Sequence, residues 1–347
     1  MKENDMYGPP IEQGPIRPVP EAESLLIRTT RSCPWNRCHF CVHYKGMPFS
    51  IRSVAEIKED IQKAADYFDP HGFESCFLQD GDSFIMKTAD LLEVLSFLKE
   101  TFPGLSRITS YGRASTMVRK SPSEMKEISD AGINRLYCGM ESGADRVLSM
   151  MNKGITPADL IEAGKLAKEA GMEISEFIIL GLGGEALSRE HAIETARVLS
   201  AINSDFIRIR TIGVKAGSLL ETMQEKGEWS APGEVAMVEE QKLLVAHLDG
   251  ITSTYTNDHS INLLPEISGS FPQDKARLLS FLDGFLALPD EEKRAFVLGR
   301  RMGACNRLSQ MEDTRIRRRV ERKTLELGHL APHELENLFH QARQMVM

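Results

Sequence analysis

The chain has 347 residues, of which 41% are hydrophobic and 27% charged, with a net charge of -8 and six cysteines. That length and apolar content bury a full core, which excludes a small disulfide-stapled scaffold, and the absence of about 20 consecutive apolar residues argues against a membrane span. The acidic balance disfavours nucleic acid, and the basic block TRIRRRVERK (Thr314 to Lys323) is read as a solvated helix face.

Residues 1–21, opening MKENDMYGPPIEQGPIRPVP, form a Pro/Gly-rich extended arm without the basic-then-apolar order of a secretory signal. The chain is therefore expected in the reducing cytoplasm, where clustered thiols point to metal or redox chemistry. SLLIRTT (Ser24 to Thr30) predicts a first strand. After a cysteine-rich loop, Val54, Ile57, Ile61, Ala64 and Phe68 share one helical stripe, with Ser53 and Glu56 as a capping box. Strands follow at 73–79, 105–110, 134–140, 173–182 and 205–211. Helices are expected at 87–101, after the Ser121, Pro122 and Glu124 start signal, at 144–151 and 157–170, and near 189–201. Six strand–helix alternations imply a parallel sheet with crossover helices. Ligands of such folds collect beyond the carboxyl ends of the strands. Beyond about residue 215 the pattern turns to helices and irregular links, giving a core over 22–215 and a helical region over 216–347.

The loop after the first strand reads TRSCPWNRCHFCVHY, with Cys33, Cys38 and Cys41 inside nine positions. Three thiolates at x4 and x2 spacing suit three corners of an iron-sulfur cubane. Zinc stays open on spacing alone, because His39 or His43 could complete a tetrahedron. Position favours the cluster: a cubane with one iron left open has a reason to sit on the ligand rim, and a structural zinc has none.

CPWNRCHFC, with Phe40 before its last cysteine, resembles the motif of radical S-adenosylmethionine enzymes, nearest to the branch of oxygen-independent coproporphyrinogen III oxidase and its relatives. The first gap is one residue longer than the commonest C-x3-C-x2-C spacing. QDGDSF (Gln79 to Phe84) stands where the family has its glycine-rich turn against the cofactor's amino group. MESGADRVLSMMNKG (Met140 to Gly154) resembles the segment that meets the ribose and carboxylate, and FIILGLGGE (Phe177 to Glu185) the one that lines the adenine. The resemblance implies a partial (βα)6 TIM-type barrel, a [4Fe-4S] cluster on Cys33, Cys38 and Cys41, and S-adenosylmethionine held by Phe40, Gly81, Asp82, Glu141, Ser142, Lys153, Ile179 and Gly181. It further implies reductive cleavage to a 5′-deoxyadenosyl radical, a small-molecule substrate, and an electron donor such as flavodoxin or ferredoxin.

Each residue has a plainer role open to it: Gly81 as a turn glycine, Glu141 as a helix cap, Lys153 as a solvated charge, Cys76 and Cys138 as small buried apolar groups. Tyr111 and Arg113 after the third strand, and Asp258 and His259 in the stretch Tyr255 to Leu279, are the candidates for catalysis or substrate contact. His43 stands where the oxidases carry a further cysteine, which argues against porphyrinogen decarboxylation. The lack of a second cysteine triad disfavours methylthio transfer, and the short arm before residue 22 disfavours a preceding cobalamin domain. A haem-binding or haem-trafficking protein of the same superfamily is the alternative, with a zinc-stabilised binding module behind it.

Overall fold

Short β-branched runs separated by amphipathic segments build the expected parallel sheet. In a computed structural model that describes residues 9–327, 330 and 332–344, the sheet strands are β1 (Leu25–Arg28), β2 (Ser75–Gln79), β3 (Arg107–Tyr111), β4 (Ile133–Glu141), β5 (Glu173–Leu180), β6 (Phe206–Thr211), β7 (Thr254–Thr256) and β8 (Gly269–Ser270). Among the described residues, the order of these strands in the sheet is their chain order, with β1 and β8 at its two ends. The β1–β2, β2–β3, β3–β4 and β6–β7 pairs are parallel, and β8 returns antiparallel to β7.

Helices connect the strands as a parallel sheet requires. α1 (Val54–Tyr67) and α3 (Pro122–Ala131) begin with complete capping boxes, at Ser53/Glu56 and Ser121/Glu124. Both N-termini are therefore set locally. α2 (Thr88–Thr101) precedes β3, α4 (Pro157–Glu169) precedes β5, and α5 (Gly184–Ile202) follows β5. Leu91, Val94, Leu95 and Leu98 of α2 are buried, as the helical period requires. Beyond β6 lie α6 (Glu234–His247) and further helices at Lys275–Leu286, Asp290–Arg301, Thr314–Leu327 and Pro332–Gln344.

Three details differ from the sequence expectation. The first strand stops at Arg28, because Thr29 turns both its N–H and its hydroxyl onto the Gln79 carbonyl. Thr30–Arg31 then pairs separately with Ser50–Ile51. α5 starts five residues before Arg189, at Gly184, whose φ of +64° and close approach to Trp229 exclude a larger side chain. β7 and β8 lie where the sequence suggests no strand, since segments of three and two residues carry no readable period. Of the arm expected over 1–21, residues 1–8 lie outside the described residues, as do 328–329, 331 and 345–347 of the helical region expected over 216–347.

The chain folds as two compact units that interleave in sequence. As far as the described residues go, the first comprises Met1–Arg37, His43–Gly139 and Ala158–Ser175, and the second Cys38–Val42, Met140–Pro157 and Glu176–Met347. No helix of the described residues is long and apolar enough to cross a membrane. The arginine-rich helix Thr314–Leu327 buries only Val320, leaving a solvated charged face.

Candidate functional site

In the first unit, the turn after β2 carries the base of the cysteine loop. Asp80 is fully buried, and its carboxylate accepts from Arg28 Nη2 at 2.5 Å and Nε at 3.1 Å, from Tyr44 Oη at 2.6 Å and from the Ser32 amide at 3.2 Å. Ser32 precedes the first loop cysteine and Tyr44 follows the last. One carboxylate thus ties both ends of the loop to β1. Glu12 braces the same corner by pairing with Arg28 at 2.9 Å and Arg31 at 2.7 Å. Gly81 is needed for clearance: a Cβ there would lie 3.1 Å from Cys33 Cβ and 3.2 Å from the Ser32 carbonyl oxygen. Burial pushes the Asp82 carboxyl up to about 7 against the opposing Thr116 hydroxyl and Arg113 charge. Its Oδ1 is buried without a hydrogen-bond partner among the described residues.

Arg113 directs Nη1 toward Cys33 Sγ at 4.0 Å and lies 5.9 Å from the Trp35 ring centroid. Tyr111 packs edge-on against Phe77 at 5.0 Å and beside Tyr137 at 6.4 Å, so its ring is part of an aromatic cluster. Cys76 and Cys138 are buried, as expected of strand cysteines, and burial raises the Cys76 thiol well above its usual range.

In the second unit, the His39 amide donates to the Met151 carbonyl at 3.0 Å and the His39 carbonyl accepts from the Leu220 amide at 2.9 Å. Both contacts hold the Cys38–Val42 segment. Phe40 lies 5.9 Å from Lys153 Nζ, and Lys153 donates to Glu141 Oε1 at 3.2 Å. Glu141 ends β4 with a φ of +64°, a left-handed conformation costly for a residue with a Cβ. Glu176 on β5 is fully buried, and burial followed by the Glu141 charge pushes its carboxyl up to about 8. Its Oε2 has no hydrogen-bond partner among the described residues.

Ser142 is fully buried, and its hydroxyl is shared between His191 Nδ1 at 2.8 Å and the Ala144 amide at 3.0 Å. The next residue, Gly143, sits so close to α5 that a Cβ would fall 2.5 Å from the Glu194 carbonyl oxygen. This turn is docked as well as polar. Ile179 packs at the edge of the buried cluster around Val147, Met151, Leu182 and Trp229. Gly181, at φ +81°, donates its amide to Glu240 Oε1 at 2.6 Å. Asp258 pairs with Arg208 and Arg210, while His259 Nδ1 accepts from the Ile261 amide at 3.3 Å. Burial, followed by the Arg210 charge, lowers the His259 imidazole to about 4.

Residues 27–199 match the Radical SAM superfamily, and the chain carries a domain of that superfamily. Among curated relatives, it is 28% identical over 209 residues to the uncharacterized protein MJ0486 of Methanocaldococcus jannaschii, covering 57% of this chain and 63% of that one. It is 27% identical over 182 residues to the uncharacterized methyltransferase PH0819 of Pyrococcus horikoshii, covering 52% and 38%. It is 22% identical over 218 residues to the heme chaperone HemW of Bacillus subtilis, covering 61% and 56%. The matches thus span less than two thirds of these relatives' own length. In fold, the chain resembles the cobalamin-dependent S-adenosylmethionine radical enzyme OxsB, with a TM-score of 0.50 and 13% identity over 93% of this chain and 58% of that one.

The cofactors of the domain are a [4Fe-4S] cluster and S-adenosylmethionine. Cys33, Cys38 and Cys41 form no disulfide, and thiolates are the soft donors such a cluster takes. The clearance at Gly81 leaves the turn after β2 close against Cys33, and among the described residues the buried oxygens Asp82 Oδ1 and Glu176 Oε2 have no hydrogen-bond partner. These features fit the two groups. Among the described residues, no three His, Cys, Asp or Glu side chains are already gathered as a metal-holding group.

Sequence reasoning passed over Asp80, Glu176, Arg208 and Arg210. Asp80 and Glu176 carry no local signal, since their importance lies in burial. The arginines were legible in FIRIRT, where two charges alternate with isoleucine inside a predicted core strand.

Proposed function

We propose that the protein is a radical S-adenosylmethionine enzyme whose cluster is ligated by Cys33, Cys38 and Cys41 and whose substrate is a small molecule. The observation that carries this reading is the C-x4-C-x2-C loop inside the matched domain, braced at both ends by the buried Asp80 carboxylate. When bound, the cluster delivers an electron that cleaves S-adenosylmethionine to methionine and a 5′-deoxyadenosyl radical.

The chain's own residues bind and orient. Lys153, held by Glu141 beside Phe40, offers its ammonium to the cofactor's carboxylate, and Glu141 offers its second oxygen to the ribose. Asp82 presents its free Oδ1 as acceptor for the amino group. Ile179 and the backbone at Gly181 contribute an apolar wall for adenine. Arg113 beside Cys33 is proposed as a substrate or cluster-side cation.

Anaerobic reconstitution tests the reading. The parent should hold about four irons per chain, as a single cubane requires, and form 5′-deoxyadenosine with a chemical reductant. Alanine at any one of Cys33, Cys38 or Cys41 should remove most of the iron. Colourless protein with one tightly bound zinc would overturn it. A second reading, haem delivery, draws on the match to the heme chaperone HemW. Stoichiometric haem binding without 5′-deoxyadenosine would select it.

A further inference from the structure

β6 reads Phe206-Ile207-Arg208-Ile209-Arg210-Thr211. Alternation sends Ile207 and Ile209, both fully buried, to one face and the two arginines together to the other. Placing two guanidiniums side by side on an interior strand costs desolvation and mutual repulsion, and an apolar pair would satisfy the packing at lower cost.

Aromatic faces support both side chains. Arg210 lies over the Phe177 ring, 4.9 Å from its centroid, and Arg208 over the Phe206 ring at 5.5 Å. Stacking of this kind fixes the plane of a guanidinium, and Arg210 Nη1 also donates to the Ile209 carbonyl at 2.8 Å. The carboxylate that faces the pair, Asp258, stands 3.7 Å from Arg208 and 3.5 Å from Arg210, at the margin of hydrogen-bond reach. Its side chain is 41% exposed, against 6% and 16% for the arginines. The cations are thus more deeply seated than their counter-ion. Beside them, the His259 imidazole is disfavoured as a cation by burial first and by Arg210 next, with Asp258 opposing and Lys215 adding to the effect.

We propose that Arg208 and Arg210 form an oxyanion subsite that takes a carboxylate or phosphate group of the substrate in competition with Asp258. Two forked donors on one strand face accept a planar or tetrahedral oxyanion through several charge-assisted hydrogen bonds, and Asp258 is exposed enough to yield its place to it. Assigning that anion to a substrate rests on the radical S-adenosylmethionine reading; the anion subsite itself does not.

The test titrates the full chain at constant ionic strength, with chloride as the balancing anion, against succinate and against inorganic phosphate, by calorimetry. At least one of the two should bind. Arg210→Gln should weaken it by about tenfold or more, the loss expected for a charged hydrogen-bond partner, and Arg210→Lys, which keeps the charge without the fork, should fall between. Arg208, the more buried, is replaced by Lys as well as Gln, so that a charge remains if the Gln variant does not fold. Binding of succinate alone supports a carboxylate subsite, and binding of phosphate alone a phosphate subsite. Equal binding by parent and Arg210→Gln, or no binding of either anion by the parent, overturns the subsite. After anaerobic reconstitution the same variants should bind S-adenosylmethionine as the parent does. A parallel loss of S-adenosylmethionine affinity would overturn the proposal by assigning the arginines to the cofactor's own carboxylate. A parent that binds succinate or phosphate but never S-adenosylmethionine would refute the reading of the enzyme and leave the subsite standing.

Discussion

Asp80 and Asp258 are both carboxylates facing arginine, and they behave in opposite ways. Asp80 is sealed from solvent, touches Arg28 at 2.5 Å, and is further satisfied by a tyrosine hydroxyl and a backbone amide. Asp258 is 41% exposed and stands 3.5 and 3.7 Å from two guanidiniums. A buried, saturated pair cannot trade partners without leaving a charge bare, so it serves as scaffold. An exposed, loosely held one exchanges partners at little cost, which suits a place where a ligand arrives.

The largest expected effect follows from that contrast. Asp80→Ala should lower unfolding stability by about 1–3 kcal/mol, because it removes the acceptor shared by Arg28, Tyr44 and the Ser32 amide while Glu12 keeps Arg28 paired. Asp258→Ala should cost less than Asp80→Ala, because the Asp258 carboxylate is 41% exposed and stands 3.5 and 3.7 Å from its arginines. Urea unfolding of the two variants side by side checks this, and equal losses would erase the distinction.

Next in size is cofactor affinity. Glu141→Gln and Lys153→Met should each weaken S-adenosylmethionine binding by about tenfold or more while leaving iron content at the parent level. Normal binding by both would remove the segment after β4 from the site.

A pH effect comes third. The Glu176 carboxyl is raised to about 8 in the folded protein from its ordinary 4.5. The folded state therefore holds a proton that the unfolded state has lost, and this contribution to stability, fully present below about 4.5, fades as pH rises through about 8. Glu176→Gln should flatten the decline measured between pH 5 and 9. A parent-like slope in the variant would place the titration elsewhere.

The smallest effect separates the two ends of the loop. Tyr44→Phe deletes one hydrogen bond from Asp80 and should cost about 0.5–1.5 kcal/mol, with iron released faster to a chelator than from the parent. An unchanged release rate would mean that the Ser32 and Arg28 contacts hold the loop unaided.

Much of the scaffold was legible because its determinants are local. Ser53 with Glu56, and Ser121 with Pro122 and Glu124, specify two helix starts within four residues each, and both form as read. β7 and β8 escaped because strands this short carry no period; they exist through pairing with β6 and with each other. In the site, the Glu141 and Lys153 contact follows from a segment 12 residues apart that the resemblance had singled out. Ser142 was singled out by the same motif, and the partner that orients its hydroxyl, His191, lies 49 residues away.

By itself, the sequence determined the strand–helix alternation, the cysteine spacing and the superfamily, all of which are patterns along the chain. Which carboxylate is sealed and which is open was decided by tertiary structure. Asp80 meets Arg28, Tyr44 and Ser32 across separations of 52, 36 and 48 residues, and Asp258 meets Arg208 and Arg210 only once β7 has paired with β6. Burial is a property of the assembled chain, and it is burial that turns one aspartate into a structural clamp and leaves the other free to exchange.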